Sequence, residues 1–71
     1  MFKINDKVKI KKLESGKEYN GLWFDDEMRE IANYDDIHTI GTIEEYVKGN
    51  PMYFLDDVEL FMFNEDMLEL A

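Results

Sequence analysis

Residues 37–63 read IHTIGTIEEYVKGNPMYFLDDVELFMF. β-branched and aromatic residues crowd this stretch. Ile37, Thr39, Ile40, Thr42, Ile43, Tyr46 and Val47 come first, then Met52 to Asp56, then Val58 to Phe63. Such side chains suit a pleated, half-buried surface. Turn chemistry breaks the stretch twice. Lys48-Gly49-Asn50-Pro51 joins two strands as a hairpin, and Asp56-Asp57 turns the chain again. The reading is three strands, over 37–47, 52–56 and 58–63. Gly41 lies inside the first, where a glycine marks a sharp bend or a close backbone approach.

Upstream, residues 7–13 read KVKIKKL. Val8 and Ile10 alternate with Lys7, Lys9 and Lys11, the period of a strand with one wet face. Lys12 breaks the phase before Leu13, so a bend or bulge is expected there. Residues 14–21, ESGKEYNG, have the composition of a loop. Phe24, Met28 and Ile31 then fall at helical spacing with Ala32 beside them. Asp25 is placed to cap a helix of about two turns, with Asp26 and Glu27 at its positive end. Asn33-Tyr34-Asp35-Asp36 ends it. Downstream, Asn64 reads as the cap of one turn containing Glu65, Asp66 and Met67, and Leu68-Glu69-Leu70 closes as a short strand.

Five short strands with one helical excursion between the first and second favour a small curled barrel. The expected core is Val8, Ile10, Leu13, Phe24, Met28, Ile31, Ile40, Ile43, Tyr53, Leu55, Leu60, Phe61 and Leu68. The whole chain has 71 residues and 8.5 kDa, the size of one domain spanning 1–71. Cysteine is absent, which excludes a disulfide scaffold and a Cys-based zinc site. At 45% hydrophobic and 14% aromatic residues, the chain is too apolar for a disordered acidic tail. No apolar run approaches the roughly 20 residues of a membrane helix. No basic segment followed by an apolar one opens the chain, so the expected compartment is the cytoplasm.

The opening Asn5-Asp6-Lys7-Val8-Lys9-Ile10 resembles the G-D-K-V-R-I start of Src-homology-3-like (SH3-like) barrels, with Asn5 where Gly is usual. Tyr19-Asn20-Gly21, Phe24 and Glu27-Met28 are similar to a Y-G-G-x-x-F-x-x-E-M pattern of short proteins of unknown function in phages and prophages of Gram-positive bacteria. The terminus from Phe61 to Leu70 resembles that group's aromatic-x-aromatic-x-x-E-M-L-E ending, with Phe in place of the more usual Trp. The resemblance spans nearly the whole chain. It implies a mainly β, five-stranded SH3-like barrel with residues 14–36 as an elongated first loop, and a phage or prophage setting in a bacterial host. It attaches no activity.

Net charge is −9, and it is unevenly placed. Residues 1–17 carry +4 through Lys3, Lys7, Lys9, Lys11, Lys12 and Lys17, and residues 18–71 carry −13. A basic strand paired beside acidic strands explains this within the molecule. An acidic face that steers the domain to a basic partner explains it between molecules. The two are compatible.

Little in the sequence speaks for catalysis. Ser15 and His38 are the sole Ser and His, in a loop and a strand, with nothing to bring them together as nucleophile and base. His38 reads as a solvent-facing or half-buried strand residue. No Gly-rich phosphate loop is present. The acidic doublets Asp25-Asp26, Asp35-Asp36, Glu44-Glu45, Asp56-Asp57 and Glu65-Asp66 lack the alternating ligands of a calcium loop. No enzyme activity, cofactor or metal is therefore expected. Lys7, Lys9 and Lys11 share one strand face that could meet phosphates, but a pI of about 4.3 contrasts with the basic character of nucleic-acid binders. Spaced carboxylates can instead imitate phosphates and occupy a nucleic-acid-binding protein.

The expected function is a non-enzymatic, acidic protein-interaction module. Its expected surface is Tyr19, Trp23, Asp25, Asp26, Glu27 and Glu30, with Trp23 as anchor or, in the structural alternative, as a plug for the barrel's open end. Phe61 and Phe63 share one strand face and Leu60 and Met62 the other, so one face needs a cover: the helix, a partner or a second copy. Direct nucleic-acid binding through the lysine face is the alternative function. Unpaired strand edges also leave room for a homodimer.

Overall fold

The structure is a computed structural model that describes residues 1–71 except for the Glu59 side chain. Seven strands and one helix run in the order β1 (Lys7–Ile10), β2 (Lys17–Tyr19), β3 (Leu22–Phe24), α1 (Asp26–Ile31), β4 (His38–Val47), β5 (Asn50–Leu55), β6 (Val58–Asn64) and β7 (Leu68–Leu70). A single 3-10 turn, Glu65–Met67, separates β6 from β7. Five strands form one sheet in the order β6-β5-β4-β1-β7, and β2 pairs with β3 in a separate two-stranded sheet.

The fold is mainly β, but its sheets are not closed into a barrel. Among the described residues no ladder joins β6 to β7, the outer strands of the five. The long strand β4 is shared along its length. Its start pairs with β1 (Lys7 opposite Thr39, Val8 opposite His38), and from Ile40 onward it pairs with β5. Two register shifts bend that second ladder. One falls at Gly41, between the Ile40–Leu55 and Thr42–Phe54 pairs, and the other near Pro51, between Glu44–Met52 and Val47–Asn50. Proline has no N–H for a ladder, so a bulge is where a sheet tolerates it. At Gly41 the Asp56 carboxylate lies where a Cβ would stand, the close approach expected of that glycine.

Residues 14–21 are not a plain loop. Asn20 (φ +47°) and Gly21 (φ +87°) make a two-residue turn between Tyr19 and Leu22. Asn-Gly in this left-handed pair is a strong hairpin signal. Asn5, in the place of the usual Gly, also has a left-handed φ of +75°, which Asn tolerates better than most residues.

Helix α1 starts after its expected cap, Asp25. Phe24 belongs to β3, so the helical face that meets the core is Met28 and the flanking Ala32. Ile31 turns outward at 43% exposure. Asp25 caps the helix as expected, its Oδ1 accepting from the Met28 N–H at 3.0 Å.

Strand β1 ends at Ile10, and the chain leaves its ladder with the Lys11 N–H donating to the Met67 carbonyl at 2.9 Å. Strand β6 changes phase. Val58 faces Leu55, but Met62 faces Phe54, which leaves residues 59–61 out of register. Val58 and Phe63 are therefore both buried despite their odd spacing, and Leu60, expected in the core, is exposed.

Val8, Ile10, Phe24, Met28, Ile40, Tyr53, Leu55 and Leu68 form the core as expected, joined by Ala32, Val58, Phe63 and Met67. Leu13, Ile43 and Phe61 pack against its margin. Burial overturns one polar assignment: His38 is 2% exposed, and its Nδ1 meets both Asp57 oxygens at 2.9 Å. Asn64 holds the N-cap position of the Glu65–Met67 turn as expected, but its side chain is fully buried and makes no cap bond.

Candidate interaction surface

The hairpin β2–β3, helix α1 and strand β6 meet at one side of the molecule. There a shallow depression of about 230 Å³ is lined by Leu22, Trp23, Asp25, Met28, Leu60, Phe61 and Met62. It is smaller than the ~300–1,000 Å³ sites that enclose small molecules. Trp23 is 56% exposed and Leu60 80% exposed, two large apolar side chains facing water side by side. Among the described residues no Lys or Arg lines the depression. Asp25 does, and Glu18 lies directly across the hairpin from Trp23.

The expected surface residues separate into three groups. Trp23 and Asp25 come together in the depression. Asp26, Glu27 and Glu30 are exposed on α1 but do not line it. Tyr19 is half-buried and structural. Its hydroxyl accepts from the Glu14 N–H at 2.9 Å, and its carbonyl accepts from Asn64 Nδ2 at 2.7 Å. That bond ties the hairpin to β6 and so positions both walls of the depression. Sequence reasoning placed Leu60 in the core, whereas it is exposed, and left Met62, which is half-buried, unassigned. The signal was present, since the two faces of residues 60–63 could not both be internal.

Around Arg29 the packing is structural. Its Nη2 donates to the Leu13 carbonyl, and its guanidinium lies 5.1 Å from the Phe24 ring centre and 4.9 Å from that of Tyr34. Lys12 sits 5.4 Å from the Tyr34 ring centre. Lys9, Lys11 and Lys12 border a second depression with Tyr34, Asp35 and Glu69. Lys9 stands opposite Glu69 in the β1–β7 ladder, and Lys7 Nζ donates to Thr39 Oγ1 at 2.6 Å. Among the described residues, none of Lys3, Lys7, Lys9, Lys11 and Lys12 comes within ion-pairing distance of a carboxylate. Among the described residues the basic strand is thus not neutralised by direct ion pairs.

Tyr53 sits at the bottom of the core with its hydroxyl at the rim. It donates to Glu65 Oε1 at 3.0 Å and accepts from the Phe2 N–H at 3.2 Å. Burial, above all, raises its pKa above the usual 10.0, and the bond to Glu65 adds to the effect. Lys17 is raised by its hydrogen bond to Glu14. The His38–Asp57 pair has the orienting half of a catalytic triad, but Nε2, the atom that would exchange a proton with a nucleophile, is buried with no polar partner. Among the described residues no three His, Asp or Glu side chains group to hold a metal, and no helix is long and apolar enough to cross a membrane. No family model matches this sequence, and neither a curated protein nor a solved structure matches it.

Proposed function

We propose that the chain is a non-enzymatic protein-interaction module, an acidic accessory protein of phage or prophage type acting in the cytoplasm of a bacterial host. The observation that carries this reading is the exposure of Trp23 beside Leu60 in one depression flanked by Asp25. Trp anchors ringed by polar residues dominate interface energetics. A net charge of −9 draws such a surface toward basic partners and speeds encounter. Nucleic-acid-binding proteins are the basic class that a compact polyanionic body would occupy, and inhibition by charge mimicry follows from that match. The strand order β6-β5-β4-β1-β7, with residues 14–36 inserted after β1 and the hairpin leading it, supports an SH3-like arrangement. A second copy meeting this acidic side with its own would set like charges against each other, which favours a different protein as the partner.

The test is capture from a bacterial lysate with the wild-type chain and a Trp23→Ala variant at equal folded amounts. Basic proteins retained by the wild type and lost with Trp23→Ala support the reading. Retention that ignores Trp23, or none at all, overturns it.

One observation favours the second reading, direct nucleic-acid binding: among the described residues the lysines of β1 have no ion pair, and Lys9, Lys11 and Lys12 border one depression. A gel shift that is tight at low salt, weakens with salt and is lost in a Lys7→Ala, Lys9→Ala, Lys11→Ala variant would establish it.

A further inference from the structure

Three consecutive residues of β6, Leu60, Phe61 and Met62, line the Trp23 depression together with two consecutive residues of β3, Leu22 and Trp23. Side chains alternate between the two faces of a strand. The register break at residues 59–61 interrupts that alternation, so Leu60, Phe61 and Met62 all border the hollow at the outer strand of the sheet. Both walls have edges to offer. Strand β6 is outermost in its sheet, and β3 belongs to a sheet of two. Residues 60 and 61 have no partner in the β5 ladder either. Unpaired N–H and C=O groups along such an edge are a template for another strand.

We infer that this groove receives an extended, basic segment of another protein, which adds as a strand along β6 and bridges toward β3. The inference rests on the proposed reading of the Trp23 side as a protein-docking surface, and it adds the form and charge of what docks. Charge complementarity selects the occupant. Asp25 lines the groove, Glu18 faces Trp23 across the hairpin, Asp26 and Glu27 follow on α1, and among the described residues no Lys or Arg lines the groove. Alternation supplies the rest. In an added strand, one set of side chains enters the apolar hollow against Trp23 and Leu60, and the other carries Lys or Arg toward the carboxylates. A helix face would cover the hollow but leave the edge groups of both strands unsatisfied.

The experiment titrates the isotope-labelled protein with three capped heptapeptides and follows the Trp23 indole and backbone amides by NMR. The first alternates Lys and Val, the second alternates Glu and Val, and the third is the Lys-Val peptide with alternate backbone amides N-methylated. The inference expects saturable shifts at Leu22–Asp25 and Met62–Asn64 with the first peptide. The other two should bind at least about tenfold more weakly, because one repels and the other lacks the strand's donors. Leu60→Lys should weaken the first peptide by a similar factor in a protein whose spectrum is otherwise unchanged. Equal binding of the first and third peptides at Trp23 overturns strand addition while leaving a protein-docking surface in place. No peptide perturbing Trp23 overturns both.

Discussion

Asn64 Nδ2 donates to the Tyr19 carbonyl at 2.7 Å, from a fully buried position at the end of β6 to the end of β2. This bond fastens the separate β2–β3 hairpin to the main sheet. Removing it strands a carbonyl and leaves a hollow. Asn64→Ala should cost about 1–3 kcal/mol, read as a lower urea midpoint. A midpoint equal to wild type would mean that the hairpin is held by its apolar contacts alone.

Trp23 and Leu60 contribute to the surface rather than the core. Trp23→Ala and Leu60→Ser should each change stability by no more than about 0.5–1 kcal/mol. Thermal denaturation of the two variants checks this, and acrylamide should quench the wild-type indole readily. Unfolding on Trp23→Ala would place the indole in the core and remove the proposed surface.

Tyr53 sets an alkaline limit. Its pKa in the folded state lies above the unfolded value near 10.0, chiefly because the ring is buried. The native state thus keeps a proton that the unfolded chain gives up. The associated stability is complete below about pH 10 and falls as pH rises through the folded value. Tyr53→Phe should lower stability at neutral pH, where it loses bonds to Glu65 and Phe2, yet lose less than wild type between pH 9 and about pH 11. Denaturation midpoints across that range decide it.

Gly41 and Asp56 share one space. A methyl group at Gly41 would displace the Asp56 carboxylate, which is exposed and free to swing. Gly41→Ala should therefore cost about 1 kcal/mol, and less when Asp56→Ala is already present. A double-mutant cycle measures the coupling, and strict additivity would show that the backbone bend, not the side chain, requires the glycine.

Much of the β framework was legible in residues 37–63, because turn residues punctuate β-branched runs there without ambiguity. Two failures share one cause: periodicity assumes an unbroken element. The boundary between β3 and α1 falls inside the Phe24–Ile31 spacing, so Ile31 was assigned inward. The irregularity at residues 59–61 reverses the faces of β6, so Leu60 was buried on paper and exposed in fact. Asn20-Gly21 was read as loop chemistry when its two left-handed residues turn a hairpin. Trp23 was legible as an exposed side chain because a Leu-Trp-Phe run cannot all point one way. Tyr19 was not, since its role depends on Asn64, distant in sequence, which no local pattern reveals.

The position of β1 between β4 and β7 has a kinetic consequence. Strands β4, β5 and β6 follow one another through two-residue turns, whereas β1 pairs Val8 with Leu70 at the far end of the chain. Local pairings form before those that must close a long loop. The β4–β6 meander should therefore carry the folding nucleus, with β1 and β7 zipping on last. Φ-values should be high at Tyr53 and Leu55 and low at Val8 and Leu68. A reversed pattern would assign the nucleus to the chain ends.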